Sequence, residues 1–207
     1  MARRFVLTFA LVAALLSGSV TSVLAGPIVT VDQQYNPLSF CCGYSIGLGE
    51  LGQGFTPTLP GLDAVLLGLW DIPGSAISGA VYRVNIRQGS STGAILSTSE
   101  DVAIPDGYDS RSGGLVHFDF SARVSLVPGS LYVIQPELVS GEGVHWFGHF
   151  PNPYAGGSLW QRGAPLENID VLFVEGLHDT SAVPEPASLL LFGAGLVGLK
   201  AWRKRWQ

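Results

Sequence analysis

The chain has 207 residues, of which 47% are hydrophobic and only 13% are charged, and its formal net charge is −5. This composition is too apolar for a disordered chain, and the length is sufficient for one domain of ordinary size. The 27 glycines and 13 prolines follow no period, which excludes collagen and favours a turn-rich, all-β fold. The mean hydropathy is nevertheless positive, and most of the apolar excess lies at the two ends.

The first 25 residues have the three parts of a secretory signal peptide. Arg3 and Arg4 form a basic start, an apolar segment follows over residues 5–16, and Ala25 and Gly26 flank the expected cleavage site. The apolar segment has about 12 residues, fewer than the roughly 20 that a bilayer span needs. We therefore predict a cleaved signal over residues 1–25, with an uncleaved N-terminal anchor as the alternative.

The C-terminal end consists of a rigid bend, an apolar segment and a basic terminus, in that order. The bend is formed by Val183, Pro184, Glu185 and Pro186. The apolar segment over residues 187–199 contains glycines that suit close helix packing, and its short length predicts a temporary membrane anchor. Positive charges at its end favour retention on the cytoplasmic side, which places the rest of the chain outside. These charges belong to Lys200, Arg203, Lys204 and Arg205.

Residues 181–207 resemble the PEP-CTERM sorting signal of Gram-negative bacteria, whose Pro-Glu-Pro motif, glycine-spaced helix and arginine-rich end all occur here in order. The resemblance implies an exported protein that an exosortase, a cysteine transpeptidase-like protease, recognises in the inner membrane. It also implies that the tail is removed near residues 183–186 and that the body reaches the cell surface or the exopolysaccharide matrix. The same tail has been labelled an ice-binding protein C-terminal domain, which is no evidence of ice binding here.

Removing both ends leaves a body over residues 26–180, which we predict to be one domain. It contains five arginines, no lysine and fifteen acidic residues. Such an acidic surface repels phosphate backbones, so we predict that the protein does not bind nucleic acid. An acidic surface is compatible with binding divalent cations or with a place in a hydrated matrix. It is equally compatible with simple solubility outside the cell.

Short apolar stretches separated by glycine- and proline-rich turns predict about eight to ten β-strands in this body. Every second residue over 80–87 is apolar, which directs the polar residues, Asn85 among them, to the outside. Residues 116–121 alternate in the same way and place His117 and Asp119 on the solvent face. We therefore predict a single β-sandwich, jelly-roll-like in topology, flanked by a signal-peptide helix and a transmembrane sorting helix.

The body also resembles lectin-like or carbohydrate-module-like sandwich domains that occur ahead of this sorting tail. The resemblance rests on the order of turns and strands in residues 53–65, 82–96 and 118–134. It implies a sandwich fold but no particular ligand, because one fold hosts many functions.

Cys41 and Cys42 are the only cysteines and are adjacent in sequence. Outside the cell thiols tend to oxidise, so a vicinal disulfide is one prediction for this pair. Mixed disulfides, intermolecular disulfides and two buried thiols are the alternatives. Two cysteines at this spacing do not make a structural zinc site on their own.

Two further groups contain side chains of the types that bind metal ions, and we predict that neither group holds an ion. His145 and His149 are four residues apart, which on a strand is about 13 Å, too far for a shared ion. Asp101, Asp106 and Asp109 offer oxygen ligands to Ca²⁺, yet aspartates in turns commonly bond their own backbone. The prediction is no metal and no cofactor, with Ca²⁺ at the three aspartates as the alternative.

Aromatic residues concentrate in the last third of the body, and three of them are candidates for stacking on sugar rings: Trp146, Tyr154 and Trp160. The motifs of serine hydrolases and nucleotide-binding enzymes do not occur in the sequence. We predict a non-enzymatic surface or exopolysaccharide-matrix protein whose body is structural or adhesive. A carbohydrate-binding module is the second hypothesis, and a secreted hydrolase with paired carboxylates is the third. The expected partners are the exosortase, the export machinery, the inner membrane and exopolysaccharide.

Overall fold

The computed structural model describes residues 29–37, 39–46, 51–71, 79–151 and 154–178. Within these ranges the regular structure is almost entirely β-strand, and the helix that occurs there is a single turn, Ser110–Gly113. The predicted all-β class is confirmed for this part of the chain. None of its helices has the length and apolar character that crossing a membrane requires. The predicted signal helix, its cleavage site and the sorting tail lie outside the described residues.

Fifteen strands lie within the described ranges, with the following bounds: β1 Val29–Tyr35, β2 Cys42–Ser45, β3 Leu51–Phe55, β4 Gly61–Leu67, β5 Leu69–Trp70, β6 Ala80–Gln88, β7 Ile95–Thr98, β8 Val102–Ile104, β9 Val116–Ser125, β10 Tyr132–Gly141, β11 His145–His149, β12 Leu159–Gln161, β13 Ala164–Leu166, β14 Asp170–Val171 and β15 Phe173–His178. Neighbouring strands pair in the antiparallel direction throughout.

These strands form three sheets. Sheet I has the order β1-β15-β4-β9. Sheet II has the order β13-β12-β3-β10-β6-β7, and β8 also pairs with β6. Sheet III is smaller, with the order β14-β11-β2, and β5 pairs with β11. The chain therefore alternates repeatedly between sheets I and II, while sheet III branches from sheet I.

The branch point lies where Gly68 separates β4 from β5 and Leu172 separates β14 from β15. The Gly68 N–H donates to the Leu172 carbonyl (3.1 Å), the Phe147 N–H to Gly68 (2.9 Å), and the Leu172 N–H to Phe147 (2.8 Å). A Cβ at Gly68 would lie 2.8 Å from the Leu172 side chain, so glycine permits this close approach. These bonds pair the backbone at the fork, and beyond it β5 and β14 pair one after the other along the same edge of β11, opposite β2.

Sheets I and II enclose one apolar core with their inward faces. Strand β6 contributes Tyr82, Val84 and Ile86, and β9 contributes Phe118 and Phe120, all in a single buried cluster. Alternate residues of each strand point inward because side chains alternate between the two faces of a sheet. The predicted alternation is confirmed for both strands.

Asn85 departs from the prediction that it is exposed. It lies on the outward face of β6 but is only 1% accessible. Its side-chain amide donates to the Glu137 carboxylate (2.7 Å), and its side-chain oxygen accepts from the Thr98 hydroxyl (2.7 Å). Polar side chains of the neighbouring strands thus cover it, which sequence alternation alone does not reveal.

Candidate functional site

An open groove of about 360 Å³ lies over one face of sheet III. Strand β11 supplies Phe147 and strand β5 supplies Trp70, while the chain entering β2 forms the opposite wall. The lining residues are Ser39, Phe40, Cys41, Cys42, Gly43, Trp70, Arg111 and Phe147. Most of this surface is aromatic or sulfur-bearing, so it is suited to contact with an apolar face of a ligand.

The aromatic rings of the groove are packed side by side. The ring centroids of Phe40 and Phe147 are 4.9 Å apart, and those of Trp70 and Phe147 are 5.6 Å apart. Both separations are typical of favourable aromatic pairs. A Cβ at Gly43 would lie 2.8 Å from the indole Nε1 of Trp70, so glycine here lets the indole lie close against β2. The rings are therefore held in place before any ligand arrives.

A guanidinium group lies over these rings. The single-turn helix positions Arg111, since its cap residue Asp109 accepts from the Arg111 N–H and Ser110 accepts from the Leu69 N–H. The Arg111 Cζ lies 5.7 Å from the Trp70 ring centroid and 5.3 Å from that of Phe147, within cation–π range. Arg111 Nε also donates to both carboxylate oxygens of Asp109 at 2.9 Å.

The Asp109–Arg111 pair makes the rim of the groove polar without giving it a net charge. The hydrogen bonds from Arg111 lower the pKa of Asp109, so its carboxylate is ionised and balances the guanidinium. The groove can thus offer hydrogen-bond donors and flat aromatic faces in an electrostatically neutral setting.

A disulfide between Cys41 and Cys42 forms one wall of this groove. Both residues are exposed, directly before and at the start of β2. Of the alternatives that the sequence left open for these two cysteines, the structure contains the vicinal disulfide.

The three aromatic residues that the sequence suggested for sugar stacking do not form one surface. Trp146 is fully buried, and its indole N–H donates to the Leu172 carbonyl at 2.7 Å, so it is a core residue. Tyr154 packs edge-on against Phe173 (5.2 Å). Trp160 is half-buried on β12 in sheet II, whereas Trp146 lies in sheet III. Aromatic density in sequence did not separate core residues from surface ones.

The two groups considered as metal ligands from the sequence are also placed apart. His145 and His149 lie at opposite ends of strand β11, as expected for a strand. Burial lowers the pKa of His145, with the nearby Asp71 acting in the other direction. Asp101 pairs with Arg83 (3.4 Å), and Asp109 is occupied by Arg111. Within the described ranges, the His, Cys, Asp and Glu side chains close enough to share an ion are instead those of His117, Asp119 and His178.

Two buried acidic residues on the last strands were not foreseen from the sequence. Asp170 accepts from the Gln53 side-chain amide (2.9 Å) and from the Tyr154 N–H (3.2 Å). Burial raises the pKa of Asp170 to about 6, although these two hydrogen bonds work against the shift.

Glu175 is fully buried on the inward face of β15, and neither of its carboxyl oxygens has a partner in good hydrogen-bond geometry among the described residues. Burial, followed by the nearby Asp32 carboxylate, raises the pKa of Glu175 to about 9, against a smaller effect of the Gln33 N–H. Glu175 is therefore protonated at neutral pH. The sequence feature that could have indicated a buried acid is that Glu175 directly follows the apolar run Val171–Val174.

Comparison with known protein families matches residues 182–205 to the PEP-CTERM protein-sorting motif. The match covers the Pro-Glu-Pro motif, the apolar segment and the basic end, so the predicted sorting signal is confirmed. A protein with this motif is exported, anchored in the membrane and then processed, and an exosortase recognises it. A search of curated proteins finds no match to this chain.

Proposed function

We propose that the chain is a non-enzymatic protein of the cell surface or exopolysaccharide matrix, delivered there after an exosortase removes its tail. The observation that carries this proposal is the sorting motif over residues 182–205 at the end of an all-β body. The excess of acidic residues in that body supports a role in a hydrated extracellular matrix. The basic end fixes the orientation of the anchor, and residues 183–186 are the segment that the processing enzyme reads.

We infer that the body is a jelly-roll sandwich. Eight strands support this, namely β1, β3, β4, β6, β7, β9, β10 and β15. Numbered one to eight along the chain, they lie in the order 1-8-3-6 in sheet I and 2-7-4-5 in sheet II. This is the order of a double Greek key. The strands of sheet III are additions to this frame, and they build the groove.

The sorting proposal is tested by replacing Glu185 with Ala in the native host. We expect export to continue and tail removal to stop, because the substitution removes the carboxylate from the motif that the enzyme reads but leaves the apolar segment and the basic end intact. Intact mass spectrometry of the membrane and extracellular fractions measures both terminal cuts, and any added mass identifies the final attachment. Glu167→Ala, an acid in the body, is the matched control. Unchanged tail removal in Glu185→Ala would contradict the proposal.

A carbohydrate-binding body is the second candidate, and the groove of sheet III favours it. Flat aromatic rings suit the apolar C–H faces of sugars, and the Arg111 guanidinium supplies donors for hydroxyl oxygens. Since Asp109 balances the charge of Arg111 and the body is acidic, the groove suits neutral hexose units better than uronic acids.

This second candidate is tested by affinity electrophoresis of the full-length chain in detergent, with a neutral glucan and a polyuronate in separate gels. We expect retention by the glucan alone. Phe40→Ala and Arg111→Ala should each weaken binding about tenfold, the equivalent of about 1.4 kcal/mol. Trp160→Ala, which changes a half-buried aromatic residue in sheet II, should have no effect. Loss of retention in Trp160→Ala but not in Phe40→Ala would place the sugar contact at Trp160 instead.

A further inference from the structure

Three metal-ligating side chains meet on the outward face of sheet I. His117 and Asp119 are two residues apart on β9 and therefore share a face. Asp119 lies opposite Ala64 on β4, and Ala64 lies opposite Gly176 on β15. Because Ala64 and Gly176 are small, the side chain of His178 on β15 reaches across β4. It meets the side chains of His117 and Asp119 there.

The distances within this cluster suit coordination of one ion. Asp119 Oδ1 lies 2.9 Å from His178 Nε2 and 3.4 Å from His117 Nδ1. One potential ligand atom from each residue lies within 4.8 Å of the others. In a tetrahedral zinc site with bonds of about 2.0–2.1 Å, ligand atoms are about 3.3 Å apart. Small side-chain rotations would therefore bring the three atoms to coordinating positions.

Two atoms of the cluster are buried without a hydrogen-bond partner among the described residues. They are Asp119 Oδ1 and His117 Nε2. The contact between Asp119 Oδ1 and His178 Nε2 is close enough for a hydrogen bond but does not have the geometry of one. Buried polar atoms rarely remain unsatisfied, and an ion would satisfy the carboxylate oxygen. The side chains themselves are 24–47% exposed, so the cluster is open to ions and to water as further ligands.

We propose that His117, Asp119 and His178 form a binding site for a divalent transition metal of the Zn²⁺ class. Two imidazoles and one carboxylate suit zinc, whereas Ca²⁺ takes oxygen ligands alone. The acidic body would raise the local concentration of divalent cations. A bound ion would tie β9 to β15 across β4, at the last described strand before the sorting motif.

The test is calorimetric titration of the metal-free, full-length chain in detergent with ZnCl₂. We expect one tightly bound Zn²⁺ per chain, and no comparable binding of CaCl₂. Asp119→Asn keeps the shape of the side chain but weakens its ligand oxygen, and His178→Gln removes a ligand. Since loss of even an outer-shell partner weakens metal sites about 10- to 100-fold, we expect at least about a tenfold loss of affinity in each variant. His149→Gln, a histidine on β11, is the matched control and should bind like the unaltered chain.

A second measurement needs no variant. The chain has four histidines, and Zn²⁺ should shift the ring NMR signals of His117 and His178 while leaving those of His145 and His149 in place. The proposal is overturned by an absence of Zn²⁺ binding, by several weak sites that Asp119→Asn does not alter, or by shifts confined to the other two histidines.

Discussion

Strand β15 carries a titratable side chain on each of its faces. One of them is fully buried and the other is partly exposed. Glu175 points inward, is fully buried, and retains its proton because burial disfavours its charge. His178 points outward, three residues later, and meets Asp119 and His117 on a partly exposed surface. The buried acid on the inner face therefore affects stability, whereas the outer cluster is accessible to ions and affects binding.

If the two faces act independently, changes on the inner face should alter the free energy of unfolding without altering Zn²⁺ binding. Changes on the outer face should do the reverse. The backbone of β15 is common to both, so a failure of this separation would show that the strand transmits an effect from one face to the other.

The largest expected effect is the pH dependence of stability. Glu175 has a pKa of about 9 in the folded chain and an ordinary value of 4.5, so the folded state holds one more proton than the unfolded state between these values. The contribution of Glu175 to stability should therefore be greatest below about pH 4.5 and fall as pH rises towards 9, by at most about 1.4 kcal/mol per pH unit. Asp170, with a pKa of about 6 against 3.8, acts in the same direction at the acidic end. Urea unfolding from pH 5 to pH 9 measures this slope, and stability that rises over this interval would contradict it.

The next effect in size belongs to Glu175→Gln. Glutamine has the shape of the protonated acid and requires no proton to fold, and its amide can still donate towards Asp32. At pH 7 the free energy of unfolding should increase by about 3 kcal/mol, since the glutamate in the unfolded chain is ionised. Urea unfolding at pH 7 measures the gain, and Glu137→Gln on β10 serves as a control outside this cluster. A loss of stability would mean that the Glu175 carboxylate is ionised and well paired in the folded chain.

The outer face is tested by adding Zn²⁺. At a concentration about 100 times the dissociation constant, the ion should stabilise the folded chain by about 2.7 kcal/mol if it does not bind the unfolded chain. The same increment should appear in Glu175→Gln, because that substitution lies on the other face of β15. At the same Zn²⁺ concentration it should fall to about 1.4 kcal/mol or less in Asp119→Asn, because that variant binds the ion at least about tenfold more weakly. Thermal unfolding with and without ZnCl₂ provides the measurement, and a smaller increment in Glu175→Gln would show that the two faces are coupled.

The sequence revealed those features that depend on short-range pattern. Alternation over residues 116–121 correctly placed His117 and Asp119 together on the outward face. The sorting motif was also recognisable, because its three parts are contiguous over residues 182–205. Neither inference required knowledge of which strands are neighbours.

The features that the sequence did not reveal depend on strand order and register. His178 joins Asp119 because β15 and β9 flank the same strand, which places small residues between them. Trp146 is a core residue because β11 pairs with β5 and β14 at the fork, where its indole N–H donates to the Leu172 carbonyl, so its position in an aromatic-rich segment was misleading. Similarly, the sequence did not show which face of the sheet Glu175 occupies. The pairing of β15 with β4 places it on the inward face.

The smallest expected effect concerns Asp32, which lies at an irregularity in the pairing of β1 with β15. Its carboxylate accepts from the N–H groups of Thr58 (2.8 Å) and Leu59 (3.0 Å). Although burial opposes it, these hydrogen bonds lower the pKa of Asp32, so the charged form is favoured. Asp32→Asn should therefore cost about 1 kcal/mol, as a weaker acceptor serves the same donors.

The same substitution separates the two causes of the raised pKa of Glu175. Because burial ranks ahead of the Asp32 charge, most of the fall in stability between pH 5 and pH 9 should persist in Asp32→Asn. Urea unfolding of this variant across the pH range makes the measurement, with Asp106→Asn in a turn as the control. A flat profile in Asp32→Asn would mean that the Asp32 charge holds the proton on Glu175. The protonation of Glu175 on the inner face would then depend on a neighbouring charge, and the contrast between the two faces of β15 would no longer be one of burial.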